Sequence, residues 1–349
     1  MNVAIFNYYE KYNKNNALFD SASYPIGEDL AYPSCLLRNK LNQMNINLNT
    51  MDQYLIDDID KVIFLDFPTY NKKLLKTLKA KNIPMYLIIN ECEIIKPDNW
   101  DKKNHNYFNK IFTWKESLVD NKKYFKFYWP NKINKNIIVK QKEKLCTMIA
   151  GNKINNDKRE LYSARADIVE WFEKNHLNEF DLYGIGWEIK QKHGHSFYDN
   201  LYRFISKRII KYRNFLKSFK NINVSPYKSY KGQIENKKDI LSSYKFSICY
   251  ENAQNIPGYI TEKIFDCFFS GCVPVYWGAP NITDLIPEDC FIDNRNFNSH
   301  EELYYYMKNM SLADYNGYIE RIEKFINSQK IYPFSAECFV ETIIRELSQ

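Results

Sequence analysis

Short, unbroken apolar runs recur along the chain, and between them lie longer segments whose apolar residues keep helical spacing. The clearest runs are KVIFLDF at 61–67, PMYLII at 84–89 and VPVYW at 273–277. A strand with one wet face alternates apolar and polar residues. A run that is apolar throughout is covered on both faces, the signature of parallel strands between helices. The expected fold class is therefore α/β.

Strands are expected at residues 3–7, 61–67, 84–89, 110–114 and 123–129, with helices at 28–44 and 71–81. The polar, lysine-rich stretch 130–144 (PNKINKNIIVKQKEK) reads as a linker. Beyond it the pattern restarts. Strands are expected at 145–150, 180–184, 245–250 and 273–277, with helices at 158–176, 237–244 and 261–270 and a mostly helical region from about 298. This divides the chain into a first Rossmann-like domain, 1–140, and a second, 141–349. The last helix, about 335–347, is a candidate to pack back onto the first domain. Two such domains face each other across a cleft between the carboxyl ends of two parallel sheets, where ligands bind.

The length of 349 residues suits two domains. With 45% hydrophobic and 26% charged residues, the chain is not a disordered segment, a collagen or a coiled-coil rod. The abundance of Tyr, Asn, Lys and Ile reads as nucleotide bias of a genome rather than as function. A net charge of +7 permits an anionic partner without demanding nucleic acid. The eight cysteines form no CxxC pair and read as buried, reduced thiols. No run is long and apolar enough to span a membrane, and the first residues lack the build of a signal peptide, so the expected location is the cytoplasm.

Residues 244–287 carry the densest chemistry: YKFSICYENAQNIPGYITEKIFDCFFSGCVPVYWGAPNITDLIP. A strand enters Glu251-Asn252, a loop follows through Pro257-Gly258, and Thr261-Glu262-Lys263 opens a helix with Thr261 as the expected N-cap. A helix N-terminus offers free N–H groups and a positive dipole end to a phosphate. Lys263 adds a full charge there, and the Glu262 carboxylate suits two ribose hydroxyls. In the first domain Glu91 and Glu93 follow a buried strand, where a carboxylate points into the cleft as a general base.

The residues ENAQ followed by GYITEKIFDCFFSGCVPVYWG closely resemble the signature of glycosyltransferase family 10, the α-1,3/4-fucosyltransferases. The match is nearly gapless over about 35 residues and weaker outside them. The resemblance implies a GT-B fold, GDP-L-fucose as donor, and inversion at the anomeric carbon with no essential metal or other cofactor. It implies donor contacts from Asn252, Tyr259, Glu262 and Lys263, and a pyrophosphate contact from Arg165 in LYSARADIVEWF. It implies Glu91 as catalytic base. The family's usual Glu-Ser-Pro is replaced here by Glu91-Cys92-Glu93, so the choice between Glu91 and Glu93 stays open. The acceptor is expected to be a hydroxyl of N-acetylglucosamine or glucose in a surface oligosaccharide.

Other signals are weaker. Asp58-Ile59-Asp60 is a DxD, but it precedes a strand rather than following one and reads as a solvated loop. His193 and His195 read as loop histidines without companion metal ligands. The absence of GxGxxG and GxxxxGK[ST] motifs argues against dehydrogenases and P-loop enzymes. Residues 203–220 (RFISKRIIKYRNFLKSFK) combine seven basic residues with apolar residues at helical spacing. They are a candidate for peripheral contact with the inner membrane face, against a helix packed on its own domain. The alternatives left open are a transferase using another GDP-linked hexose, a basic nucleic-acid-binding protein, and a nucleotide-sugar-binding protein without catalysis.

Overall fold

A computed structural model describes residues 1–24, 29–138, 140–190 and 226–348. The expected basic helix at 203–220 and the histidines at 193 and 195 lie outside these residues. Two six-stranded sheets, parallel throughout, organise the described chain.

The first sheet has the order β2-β1-β3-β4-β5-β6. Its strands are β1 (Asn2–Asn7), β2 (Asn47–Thr50), β3 (Lys61–Leu65), β4 (Met85–Ile89), β5 (Lys110–Thr113) and β6 (Tyr124–Lys126). Helices α1 (Tyr32–Gln43), α2 (Lys72–Ala80) and the short α3 (Lys102–His105) connect them. All five residues of β4 are buried, as its apolar run requires. The edge strand β2, NLNT, has no apolar run and is absent from the sequence reading. It pairs with β1 from Asn2–Asn47 to Ile5–Thr50 and buries only Leu48 and Thr50.

The second sheet has the order β12-β11-β10-β7-β8-β9. Its strands are β7 (Lys144–Ile149), β8 (Phe180–Tyr183), β9 (Tyr230–Gly232), β10 (Tyr244–Tyr250), β11 (Val273–Trp277) and β12 (Ile292–Asp293). Its helices are α4 (Tyr162–Asn175), α5 (Lys237–Leu241), α6 (Glu262–Phe269), α7 (His300–Asn309) and α8 (Leu312–Asn327). The expected start of α4 at residue 158 moves to Tyr162. There the Glu160 carboxylate accepts the N–H groups of Tyr162 (2.6 Å) and Ser163 (3.0 Å), holding residues 157–160 in a turn. The expected helix at 237–244 is shorter, because Tyr244 already belongs to β10.

Helices α1 and α2 stop on asparagines rather than glycines. Asn45 (φ 57°) and Asn82 (φ 55°) take the left-handed conformation, and Ile46 and Ile83 then donate to the carbonyls of Leu41 and Leu78, both at 3.0 Å. Asparagine tolerates that conformation better than other side chains, which suits a chain poor in glycine.

The final helix, α9 (Ala336–Leu347), leaves the second domain and packs on α1. Phe339, Val340, Ile343 and Leu347 share a buried cluster with Leu37, Leu41, Val3 and Ile5 of the first domain. Polar contacts fix the crossing. Tyr32 donates to Glu337 at 2.9 Å, and Lys110 reaches the Glu346 carboxylate at 3.0 Å. Where the chain enters the linker, Asn131 pairs with the residues that open α9, at 2.8 Å in each direction. Ile343→Ala, which empties a fully buried position, should cost about 2–5 kcal/mol in urea unfolding.

Candidate functional site

The carboxyl ends of strands in the first sheet and helices α5 and α6 of the second domain line a cavity of about 300 Å3. Asn7, Asp66 and Glu91 reach it from the ends of β1, β3 and β4, and Lys237, Glu262 and Asp266 from α5 and α6.

Glu91 stands just past β4, and buried groups fix its backbone. Asp66, in the left-handed region (φ 62°) after β3, accepts the N–H groups of Asn90 (2.8 Å) and Glu91 (3.1 Å) and the Asn99 amide (2.6 Å). The Trp100 indole donates to the Glu91 carbonyl at 3.1 Å. The side chain is therefore free to face the cavity while its main chain is clamped. Burial and the nearby Asp66 carboxylate push Glu91 up to about 7, although Lys153 and Lys263 pull the other way. Glu93 is placed differently. It pairs with Arg159 at 2.9 Å and with Lys115 at 3.8 Å. Of the two carboxylates, Glu91 lines the cavity.

Opposite stands the amino end of α6. Thr261 has the extended backbone of an N-cap, but its hydroxyl makes no cap. The expected cap is instead spent on Glu251, whose carboxylate accepts the Thr261 N–H (2.7 Å) and hydroxyl (2.8 Å). Lys263 reaches the same carboxylate at 3.0 Å. Glu251 is wholly buried, so these partners are what make its position tolerable. Burial alone would raise Glu262, yet the ammonium groups of Lys263 and Lys237 outweigh it and hold the carboxyl down at about 2.

The other expected donor residues form a tier behind this wall. Arg165 is buried in α4, where it donates to the Tyr250 carbonyl (2.6 Å) and to Asn252 Oδ1 (3.1 Å), while its Nε has no partner. Burial lowers its pKa. Asn252 donates in turn to the Tyr259 hydroxyl at 3.2 Å. Tyr259 is wedged between the domains, its ring 5.2 Å from that of Trp114. Gly258 makes this approach feasible: at φ 81°, a Cβ there would lie 2.9 Å from the Trp114 carbonyl oxygen.

Thus Glu91, Glu262 and Lys263 gather at the mouth of α6, and Arg165, Asn252 and Tyr259 form the bracket that supports it. The sequence reading missed Asp66, Glu251 and Lys237. The first two carried a usable signal: an acidic residue directly after an apolar strand run. Among the described residues, no group of three or more His, Cys, Asp or Glu side chains is arranged to hold a metal. Asp58 and Asp60 lie apart from the cavity, and Asp60 accepts the Asn2 N–H at 2.6 Å.

Comparison with known proteins relates part of this arrangement to a family. Residues 187–330 match the family described as glycosyltransferase family 10 (fucosyltransferase), C-terminal, which bears out the resemblance read at 251–278. The alpha-(1,3)-fucosyltransferase FucT of Helicobacter pylori is 36% identical over 89 residues, 26% of this chain and 18% of that protein's own length. The aligned stretch thus spans less than a fifth of that relative. The fold is that of an α1,3-fucosyltransferase solved with GDP-fucose (TM-score 0.55, 16% identity, covering 100% of this chain and 90% of the other). It is equally that of Anabaena Alr3699/HepE solved with UDP-glucose (TM-score 0.57, 9% identity, 100% and 99%). The chain is accordingly a two-sheet α/β protein of the GT-B kind.

The raised Glu91 has a consequence for stability. Between its ordinary value near 4.5 and about 7 the unfolded chain is ionised there while the folded one keeps the proton, so stability falls as pH rises through this window. Glu91→Gln removes that loss. In urea unfolding series, the variant should gain on the native protein from pH 4.5 to 7, with a constant difference above.

Proposed function

We propose that this chain, which carries the family-10 C-terminal segment, is an inverting transferase that moves L-fucose from GDP-L-fucose to a glycan hydroxyl. The observation that carries the reading is the cavity itself, where Glu91 from the end of β4 and Glu262 from the start of α6 both line the wall, with the Lys263 ammonium near enough to act on Glu91. The acceptor is N-acetylglucosamine or glucose in a surface oligosaccharide, with an α-1,3 or α-1,4 linkage. A different GDP-linked hexose is the alternative donor.

In this reading the donor's pyrophosphate sits at the α6 N-terminus, against Lys263 and the free N–H groups. Arg165 contributes its charge from behind, with Nε available. Glu262 accepts from the ribose hydroxyls, for which a carboxylate held ionised is suited. Asn252 and Tyr259 hold the loop beneath the donor. Glu91 takes the proton of the acceptor hydroxyl as that oxygen attacks the anomeric carbon. The bond from carbon to the phosphate oxygen breaks with inversion, and GDP leaves with its charge stabilised. A base with a pKa near 7 is well matched to this task at neutral pH. No step calls for a metal, and holding both substrates in one cavity supplies much of the acceleration.

Incubation with GDP-fucose or GDP-mannose and glycan acceptors in the presence of EDTA tests this reading. Transfer from GDP-fucose is expected, rising with pH through about 7 as Glu91 ionises. Glu91→Gln should lose about 100-fold or more of kcat while still binding GDP. Full activity in that variant, with loss in Glu93→Gln, would move the base to Glu93.

The same reading places the enzyme on the inner membrane face, acting on lipopolysaccharide or protein-linked glycans, with the basic segment 203–220 as its contact. Among the described residues no helix is long and apolar enough to cross a membrane. Reversing four of the charges in 203–220 should abolish co-sedimentation with anionic liposomes, and unchanged sedimentation would remove this part of the proposal.

A further inference from the structure

Lys237 lies on α5, outside the signature segment, yet it contacts the two carboxylates that α6 turns toward the cavity. Its ammonium is 2.7 Å from Asp266 and 3.6 Å from Glu262, and its side chain is only 15% exposed. Glu262 and Asp266 are four residues apart, so they stand on one face of the helix as neighbouring like charges. Lys263 also lies 3.8 Å from Glu262, but it is committed to Glu251 at 3.0 Å and to the Thr261 hydroxyl at 2.8 Å. Lys237 is therefore the cation placed to set where the Glu262 carboxylate points.

Given the reading of Glu262 as the ribose-binding carboxylate, we propose that Lys237 is its positioning residue: anchored on Asp266, it locks Glu262 in the rotamer that meets both ribose hydroxyls. The start of α5 is fixed by the Asn236 side chain, which accepts the N–H of Lys238 at 2.8 Å, and α5 packs against α6. Without the ammonium, Glu262 and Asp266 repel each other. The long Glu262 side chain then regains rotamers that must be lost again when ligand binds.

The test compares binding of GDP and 2′-deoxy-GDP by titration calorimetry, since the deoxy ligand lacks one of the two hydroxyls. The native protein should prefer GDP by about tenfold or more, the worth of a hydrogen bond to a charged group. Glu262→Ala should erase the preference. Lys237→Met should reduce it to about threefold or less, Lys237→Arg should restore most of it, and Asp266→Asn, which loosens the anchor, should fall between. Melting curves check that each variant is folded. A role confined to packing α5 on α6 would weaken both ligands alike and keep their ratio. That result in Lys237→Met, or undiminished preference in both Lys237→Met and Asp266→Asn, overturns the proposal. Undiminished preference in Glu262→Ala is a different failure, because it removes the ribose reading on which the role of Lys237 depends.

Discussion

Glu251 sits at the carboxyl end of β10 with no exposure to solvent, and a carboxylate so placed persists only with close partners. It gathers a backbone N–H and a hydroxyl from Thr261 and an ammonium from Lys263, at the opening of α6. The loop from β10 to α6 is thereby closed onto the strand it left. Everything between is arranged by that closure: Asn252 meets Arg165, Tyr259 reaches the first domain, and Glu262 comes out at the cavity. Even β11 is shaped by it. A Cβ on Gly278 would lie 2.6 Å from the Glu251 side chain and 2.5 Å from the Tyr276 hydroxyl, so only glycine lets the next loop pass.

The first domain solves the same problem in the same way. Asp66 ends β3 as Glu251 ends β10, and its Oδ1 likewise accepts the N–H groups of a neighbouring loop. The shared logic is that parallel strands deliver their carboxyl ends to one edge, where loops must be fixed without secondary structure to hold them. A buried carboxylate takes up several otherwise unpaired N–H groups at once. In the first domain this has an electrostatic side effect, since burial raises the Glu91 side chain toward neutral pH and the charge that clamps its backbone adds to that rise.

Much of this was legible in the residues. Unbroken runs such as PMYLII fixed the covered strands, because nothing but burial on both faces explains them. What escaped was polar. The edge strand NLNT has no apolar pattern, and its pairing is decided by β1 rather than by its own side chains. The start of α4 was misplaced because Glu160, a good helix former, is used as a cap from outside. At the site, Glu262 and Lys263 stood out through a local pattern. Lys237 did not, because its partners are 25 and 29 residues away and only the packing of α5 on α6 unites them. The hydroxyl of Thr261 was legible as a cap by its position, but the tertiary contact with Glu251 competes for it and wins.

The return of α9 to the first domain bears on the order in which the molecule assembles. Its apolar face closes the same cluster that holds Val3 and Ile5 of the first strand. A nascent chain leaving the ribosome therefore carries a first domain with one wall missing through some 200 residues of further synthesis. Domains usually mature in sequence as they emerge. Here the first domain waits for a helix made long after it, its apolar wall open to chaperones or to misassembly in the interval. Joining β1 and α9 in one core makes the two halves a single cooperative unit, at the cost of a slow, long-range closing step.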